Sequence, residues 1–147
     1  FPLDTNDVVT AWVPAQPIPL EMGPLSFAYP LDVHKLVNAV TFEKTGTGYD
    51  CGISNVFLKN NISVNETPFE LGEVSFHHNL NFHTASSNRT NRSRVALANT
   101  YYRDGARVVN APTMVSGDWQ KFMPNVKPGD IAVSPLNPIC WPVRDKS

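Results

Sequence analysis

Apolar and polar positions sort along this chain into short runs, most of them ended by proline, glycine or a polar cluster. Val8-Val9-Thr10-Ala11-Trp12-Val13 is β-branched and apolar and stops at Pro14. It predicts a strand, because proline cannot donate to a sheet ladder. Pro14 to Pro19 predicts a loop, Glu21-Met22-Gly23-Pro24 a turn, and Leu25-Ser26-Phe27-Ala28 a short strand. From Asp32 to Lys44 the spacing of Val33, Leu36, Val37 and Val40 fits one face of a short helix. Thr45 to Gly52 then reads as a glycine-containing loop, and Asn55 to Asn65 as an irregular polar surface segment.

The most regular stretch runs from Val74 to His83. Val74, Phe76, His78, Leu80 and Phe82 share one parity, and Ser75, His77, Asn79, Asn81 and His83 share the other. Period-2 alternation predicts β structure, here two short strands about a turn near Asn79. Asn88 to Ser93 is a polar loop, and Arg94 to Tyr102 is a further strand closed by Asp104-Gly105. Gly117 to Met123 fits one or two helical turns, and Pro128-Gly129-Asp130 is a turn before the apolar run Ile131 to Val133. Short strands with turn signals roughly every 8 to 20 residues predict a mainly antiparallel β-sandwich or barrel of the jelly-roll kind. Sustained βαβ alternation is absent.

Composition narrows the class. The chain has 147 residues, about one domain's worth, with 41% hydrophobic and 17% charged residues, which excludes disorder. Twelve basic and thirteen acidic side chains leave a net charge of -1, so no basic stripe points to nucleic acid and no polybasic run to a membrane surface. No apolar run approaches the roughly 18 residues a membrane span needs. Nor does a basic segment precede an apolar core as in a signal peptide. A cytoplasmic protein is the expectation. Thirteen prolines, well above the roughly 5% average, favour interrupted segments over long helices. Phe1 stands where a methionine would start a complete chain, so a processed or partial chain is expected. Cys51 and Cys140 favour two reduced thiols over one disulfide. The sequons at Asn61, Asn65, Asn88 and Asn91 are expected to be unmodified.

Candidate chemistry is sparse. Gly46-x-Gly48 lacks the strand-to-helix context and the Gly-Lys-Ser/Thr ending of a phosphate loop. His77, His78 and His83 fall within seven residues. A neutral imidazole is the commonest metal ligand, and a β-barrel interior suits an open metal site. Spacing alone nevertheless favours ordinary hydrogen bonding for these rings. Arg94 has Ala96 and Ala98 on its own parity, small neighbours that leave room for a ligand. Its guanidinium can hold a ligand carboxylate bidentately or pair with a structural acid, and the residues do not separate the two.

His83, Asn88, Thr90 and Arg94 form a His-x4-Asn-x-Thr-x3-Arg pattern. It resembles the second half of the phytanoyl-CoA dioxygenase family of Fe(II)- and 2-oxoglutarate-dependent oxygenases. Four further pieces agree in order: Val9 to Val13 with its Ala-Trp pair; Glu21-Met22-Gly23-Pro24-Leu25; Leu71-Gly72-Glu73-Val74-Ser75-Phe76-His77-His78; and Tyr101 to Val108 with Pro128-Gly129-Asp130 and Ser134 to Pro138. The resemblance implies a double-stranded β-helix (jelly-roll, cupin-like) with short helices, spanning residues 1–147 as the C-terminal part of one oxygenase domain. It makes His83 the distal histidine on Fe(II), places Arg94 on the far carboxylate of 2-oxoglutarate, and lays Trp12 against that cosubstrate. The implied reaction consumes O2 and 2-oxoglutarate, releases succinate and CO2, and hydroxylates a small or lipid-like organic molecule. The family's remaining iron ligands lie in a His-x-Asp motif just before the segment aligned to Phe1, and no His-x-Asp occurs in this chain. The family's Gly-Ser-His element is replaced by Tyr29-Pro30-Leu31-Asp32-Val33-His34, with His34 as a displaced counterpart. Glu73 stands for the usual Asp, and Ala85 for a serine that often assists 2-oxoglutarate. The rival expectation is a non-catalytic β-sandwich ligand-binding module or an inactive oxygenase relative.

Overall fold

The computed structural model describes residues 1–37, 39–41, 47–112 and 118–141. Its elements are β1 (Val8–Pro14), β2 (Leu25–Tyr29), α1 (Gly48–Lys59), β3 (Ser63–Glu66), β4 (Ser75–His78), β5 (His83–Ala85) and β6 (Ala96–Tyr102), with 3-10 turns at Leu20–Met22, Leu31–Lys35 and Trp119–Lys121. They fall into two compact units: Val8–Tyr101, and a second made of Phe1–Asp7 with Tyr102–Ser147. The described chain is thus mainly β, with two small antiparallel sheets and one helix.

Both three-stranded sheets belong to the first unit, in the orders β4-β1-β6 and β3-β2-β5. In the first, Thr10 lies across from His77 and Trp12 from Ser75. In the second, Phe27 lies across from His83 and Leu25 from Ala85 on one edge of β2, while Ala28 meets Val64 on the other. The strands predicted at 8–13, 25–28 and within 74–83 are all present. The chain leaves the first sheet at His78, turns through Asn79 to Asn81, and enters the second sheet at His83. In this stretch the buried positions are polar ones, while Asn79 and His83 of the same parity are exposed. His77 and Asn81 are each only 8% exposed, whereas Phe76 is 68% exposed.

The region between β2 and β4 differs from expectation. Of the helix predicted over Asp32 to Lys44, the described residues contain only the 3-10 turn Leu31–Lys35; Asn38 and 42–46, with Gly46, lie outside the described residues. The true helix is α1, in a stretch expected to be loop and irregular surface, and β3 follows it directly. Two glycines and several polar residues give α1 low intrinsic propensity, and no side chain caps its N-terminus. Packing supplies what propensity does not. Ile53, Val56 and Phe57, at helical spacing, close over the buried cluster Ala28, Val33 and Val37. Gly52 makes this approach possible, because a Cβ there would lie 2.7 Å from a methyl of Val40.

The second unit is held by isolated bridges rather than a sheet: Leu3 with Val108, Arg107 with Ile131, and Ser134 with Asn137. Asp4 ties the first of these, accepting from the Arg107 backbone N–H at 2.8 Å through its carboxylate. The helical turns expected over Gly117 to Met123 reduce to Trp119–Lys121, with Gly117 outside the described residues. Pro128-Gly129-Asp130 is the predicted turn, with Gly129 at φ 87°. Cys51 and Cys140 are free and exposed.

In this unit the Tyr102 hydroxyl donates to the Ala132 carbonyl at 2.6 Å, and burial pushes its pKa above the ordinary 10.0. A phenol whose folded pKa is raised contributes stability that is complete below the unfolded value and is lost as pH climbs through the folded value. Tyr102→Phe should cost about 1 kcal/mol at neutral pH. It should also flatten the loss of stability between about pH 9 and about pH 11 in urea titrations. An unchanged alkaline slope would show that Tyr102 does not couple to folding.

Candidate functional site

The inner faces of the two sheets meet at a cluster of rings. Cross-strand partners point to the same side of a sheet, so Thr10, Trp12, Ser75 and His77 share one face of the first sheet. Thr100 joins them, since its hydroxyl lies 3.0 Å from that of Thr10. Strand alternation puts Ala96 and Ala98 on the same face as Thr100, and both are exposed. From the second sheet come Leu25, Phe27, His83 and Ala85. The His77 and His83 ring centroids are 4.6 Å apart, and the Phe27 ring is 5.3 Å from His77 and 6.2 Å from His83. Burial, and secondarily the charge His83 would carry, lowers the pKa of His77 and favours its neutral form.

His83 is oriented by its own turn. Its Nδ1 lies 2.9 Å from the backbone carbonyl of Asn81. A carbonyl only accepts, so Nδ1 carries the proton and Nε2 is left with its lone pair. That is the tautomer a metal ligand requires, fixed by the kind of backbone partner that metal-binding histidines commonly have. His83 therefore fits an iron site as a single ligand. Among the described residues no group of three or more His, Cys, Asp or Glu converges.

Arg94 sits two residues before β6 rather than within it. Its Nη1 donates to the Gly23 carbonyl, and no Asp or Glu pairs with it among the described residues. The alternative of a structural ion pair thus has no support there, and most of the guanidinium donors remain open to a ligand. Gly23 is required for this arrangement. Its φ is 69°, and a Cβ would collide with the Ser86 backbone carbonyl. The loop before Arg94 is folded by the residues of the sequence pattern. Asn88 accepts from the Thr90 backbone N–H at 2.9 Å and hydroxyl at 2.7 Å, and donates to the Arg92 carbonyl at 2.7 Å. The Arg89 N–H donates to Glu21 at 2.9 Å, tying the loop beside Gly23. Asn88 and Thr90 thereby position the chain that delivers Arg94.

Trp12 is half-buried. It packs edge-on against Phe69 with ring centroids 5.0 Å apart, and with Leu25 it covers the buried cluster Ile18, Met22 and Phe69. Gly23, Leu25 and Phe27 thus tie Arg94, Trp12 and His83 to one short stretch of chain. Two side chains that spacing alone did not single out complete the neighbourhood. A cavity of about 630 Å³ is lined by Phe27, Tyr29, His34, His77 and Asn81 among others, and the Nδ1 of His34 and Oδ1 of Asn81 are buried without a partner. The parity shared with His77 was the available signal for Asn81. A smaller cavity of about 500 Å³ lies under α1 beside Ser26 and Ala28, and it is this one that His83 lines.

No family model matches the chain, and no curated protein sequence matches it. Its fold does match solved structures. Over 92% of this chain and 50% of the other, it aligns with a TM-score of 0.66 and 22% identity to the non-heme alpha ketoglutarate dependent carbocyclase SnoK from nogalamycin biosynthesis. Over 92% of this chain and 49% of the other, it aligns with a TM-score of 0.63 and 19% identity to the non-heme alpha ketoglutarate dependent epimerase SnoN from the same biosynthesis. SnoN in complex with Fe3+, alpha ketoglutarate and nogalamycin RO gives the same TM-score of 0.63. The chain spans about half the length of these proteins, and the likeness establishes a shared fold.

Gly23→Ala should remove both the turn and the Arg94 anchor, at about 2 kcal/mol or more. Equilibrium urea unfolding measures this directly. A cost below about 0.5 kcal/mol, the level of an ordinary surface substitution, would show that the left-handed turn is dispensable.

Proposed function

We propose that these 147 residues are the C-terminal part of a single Fe(II)- and 2-oxoglutarate-dependent oxygenase domain of the phytanoyl-CoA dioxygenase kind, with a double-stranded β-helix core. The observation that carries the reading is His83: an imidazole in ring contact with His77 whose Nδ1–H is committed to the Asn81 carbonyl, leaving Nε2 for a metal. It sits on a fold matched to two alpha ketoglutarate dependent enzymes. His83 would hold Fe(II), and Arg94 would take the far carboxylate of 2-oxoglutarate with the donors not given to Gly23. Bound iron and cosubstrate would supply the oxidising power, releasing succinate and CO2 and hydroxylating a small or lipid-like organic substrate. The chain's own part is to fix the His83 tautomer, hold the cosubstrate carboxylate, and surround the substrate with the walls of the cavity that His83 lines.

Trp12 has a second role in this reading. Its packing on Phe69 stiffens the inner face, and its half-exposed side is available to the cosubstrate. The two remaining iron ligands would come from chain preceding Phe1. In keeping with this, β5 and β6 each end a sheet, and Phe76, Val95 and Leu97 are more than half or about half exposed, as surfaces awaiting cover would be. One observation favours the rival, a ligand-binding module without turnover: no three metal-binding side chains converge among the described residues.

Succinate release by a chain extended upstream of Phe1 separates the two. His83→Ala should abolish it, and Arg94→Ala should chiefly raise the 2-oxoglutarate concentration required. An unchanged requirement in Arg94→Ala would remove the carboxylate assignment. The 147 residues alone, with one of three ligands, should neither hold Fe(II) tightly nor release succinate. Succinate formed by them with added Fe(II) would refute the proposal that ligands are supplied from upstream.

A further inference from the structure

Resting on the oxygenase reading, we infer that the cavity under α1 is the substrate chamber, and that it takes an apolar molecule carrying an ammonium group, which Asp50 pairs. Two observations place the substrate here. His83, the proposed metal ligand, lines this cavity and is exposed, so a molecule held in it meets that ring. The volume, about 500 Å³, lies within the range of small-molecule sites. Room exists because β2 presents only Ser26 and Ala28 toward α1. The walls are apolar: Val64 comes from β3, Ile53 and Phe57 from α1, and Phe82 from the residue before β5. Phe57 and Phe82 meet edge-on with ring centroids 6.3 Å apart, a firm aromatic corner for a flat body.

The charge on the substrate follows from the polar side of the lining. Asp50, Ser54 and Phe57 stand at i, i+4 and i+7 on α1, so they form one stripe, and all three line the cavity. Asp50 is exposed and therefore open to a ligand, and among the described residues no Lys or Arg pairs with it. No Lys or Arg lines the cavity either, so Asp50 is its one full charge among those residues. That charge is felt inside: the pKa of Tyr49, another lining residue, is raised by burial and then by Asp50. The other polar groups are neutral. Ser26 donates to the Thr84 carbonyl, and the backbone N–H groups of Asn79 and Asn81 are taken by Val8 and His78. A carboxylate only accepts, so it calls for a donor, and an ammonium group supplies both donor and opposite charge. A ligand carboxylate or phosphate would meet Asp50 with no cation to offset the repulsion. The faces of Phe57 and Phe82 add further attraction for a cation.

The test uses the full 147-residue chain without iron or 2-oxoglutarate, and a matched pair of probes, tryptamine and 3-ethylindole. They share a ring and a two-carbon arm, but only the first carries an ammonium group. Titration at low salt should show tryptamine binding at least about fivefold more tightly, and the ratio should shrink in about 1 M salt. Asp50→Asn should bring the two affinities together, and Asp50→Glu should keep them apart. NMR shift changes should centre on Ile53, Phe57 and Phe82. Because the wild-type ratio and its salt dependence need no variant, a poorly folding Asp50→Asn does not shield the proposal. Equal binding, a preference for 3-ethylindole, no binding, a ratio that survives in folded Asp50→Asn, or shifts confined to Phe27, Tyr29 and His34 would each overturn it. Failure here with succinate release still dependent on His83 removes only the chamber. An ammonium preference in a protein whose extended form turns over without His83 removes only the oxygenase reading.

Discussion

The β2 strand is the constraint on which the rest of this structure depends. It is hydrogen-bonded on both edges, to β3 and β5, so neither edge can shift without breaking a ladder. Its outer face is built from Ser26 and Ala28, both nearly fully buried, and small side chains there let the apolar stripe of α1 close in. Its inner face carries Leu25 and Phe27, one reaching the Trp12 cluster and the other the two imidazoles. Immediately before it, the left-handed turn at Gly23 aims a carbonyl at Arg94. A one-residue slip of β2 would put Phe27 under the helix and Ser26 against His77, exchanging every contact on both sides.

A second consequence is that polar groups are buried where aromatic ones are exposed. In β4 Phe76 and His78 are exposed and His77 is buried. Stability alone would favour the reverse, since burying an imidazole costs free energy unless it is paired. The inversion makes sense if the interior is a site and the outside awaits cover. His77 is kept neutral by this burial, His83 is held in one tautomer, and Asn81 gives its backbone to His83 while its side-chain oxygen stays unpaired.

Much of this was legible in the chain, for specific reasons. β1, β2 and β6 announced themselves through β-branched or apolar runs between turn residues. Alternation from Val74 to His83 correctly grouped His77, Asn81 and His83, but period-2 patterning says which side chains share a face and not which face is inward. The helix was misplaced because Gly48, Gly52 and the polar residues between Asp50 and Asn55 depress propensity, while the deciding stripe of Ile53, Val56 and Phe57 acts only through distant Ala28 and Val33. Arg94 and His83 were singled out by resemblance to a family pattern, since spacing alone favoured ordinary hydrogen bonding for the histidines. Their geometry was not legible, because one depends on a glycine 71 residues away and the other on the carbonyl of a tight turn. Trp12 was placed by resemblance, and its packing against Phe69 depended on a contact across most of the first unit.

On the proposed reading, His83 offers Nε2 to a metal because Nδ1 is protonated and bound to the Asn81 carbonyl. Long-range proton–nitrogen NMR of the imidazole rings, in a chain extended upstream of Phe1 and titrated with Zn(II) as a diamagnetic substitute, tests it most directly. The His83 Nε2 resonance should move to a metal-bound position while its Nδ1 keeps its proton, with His77 unligated. A metal-bound Nδ1 on His83, or a titration that leaves His83 unchanged, would contradict it.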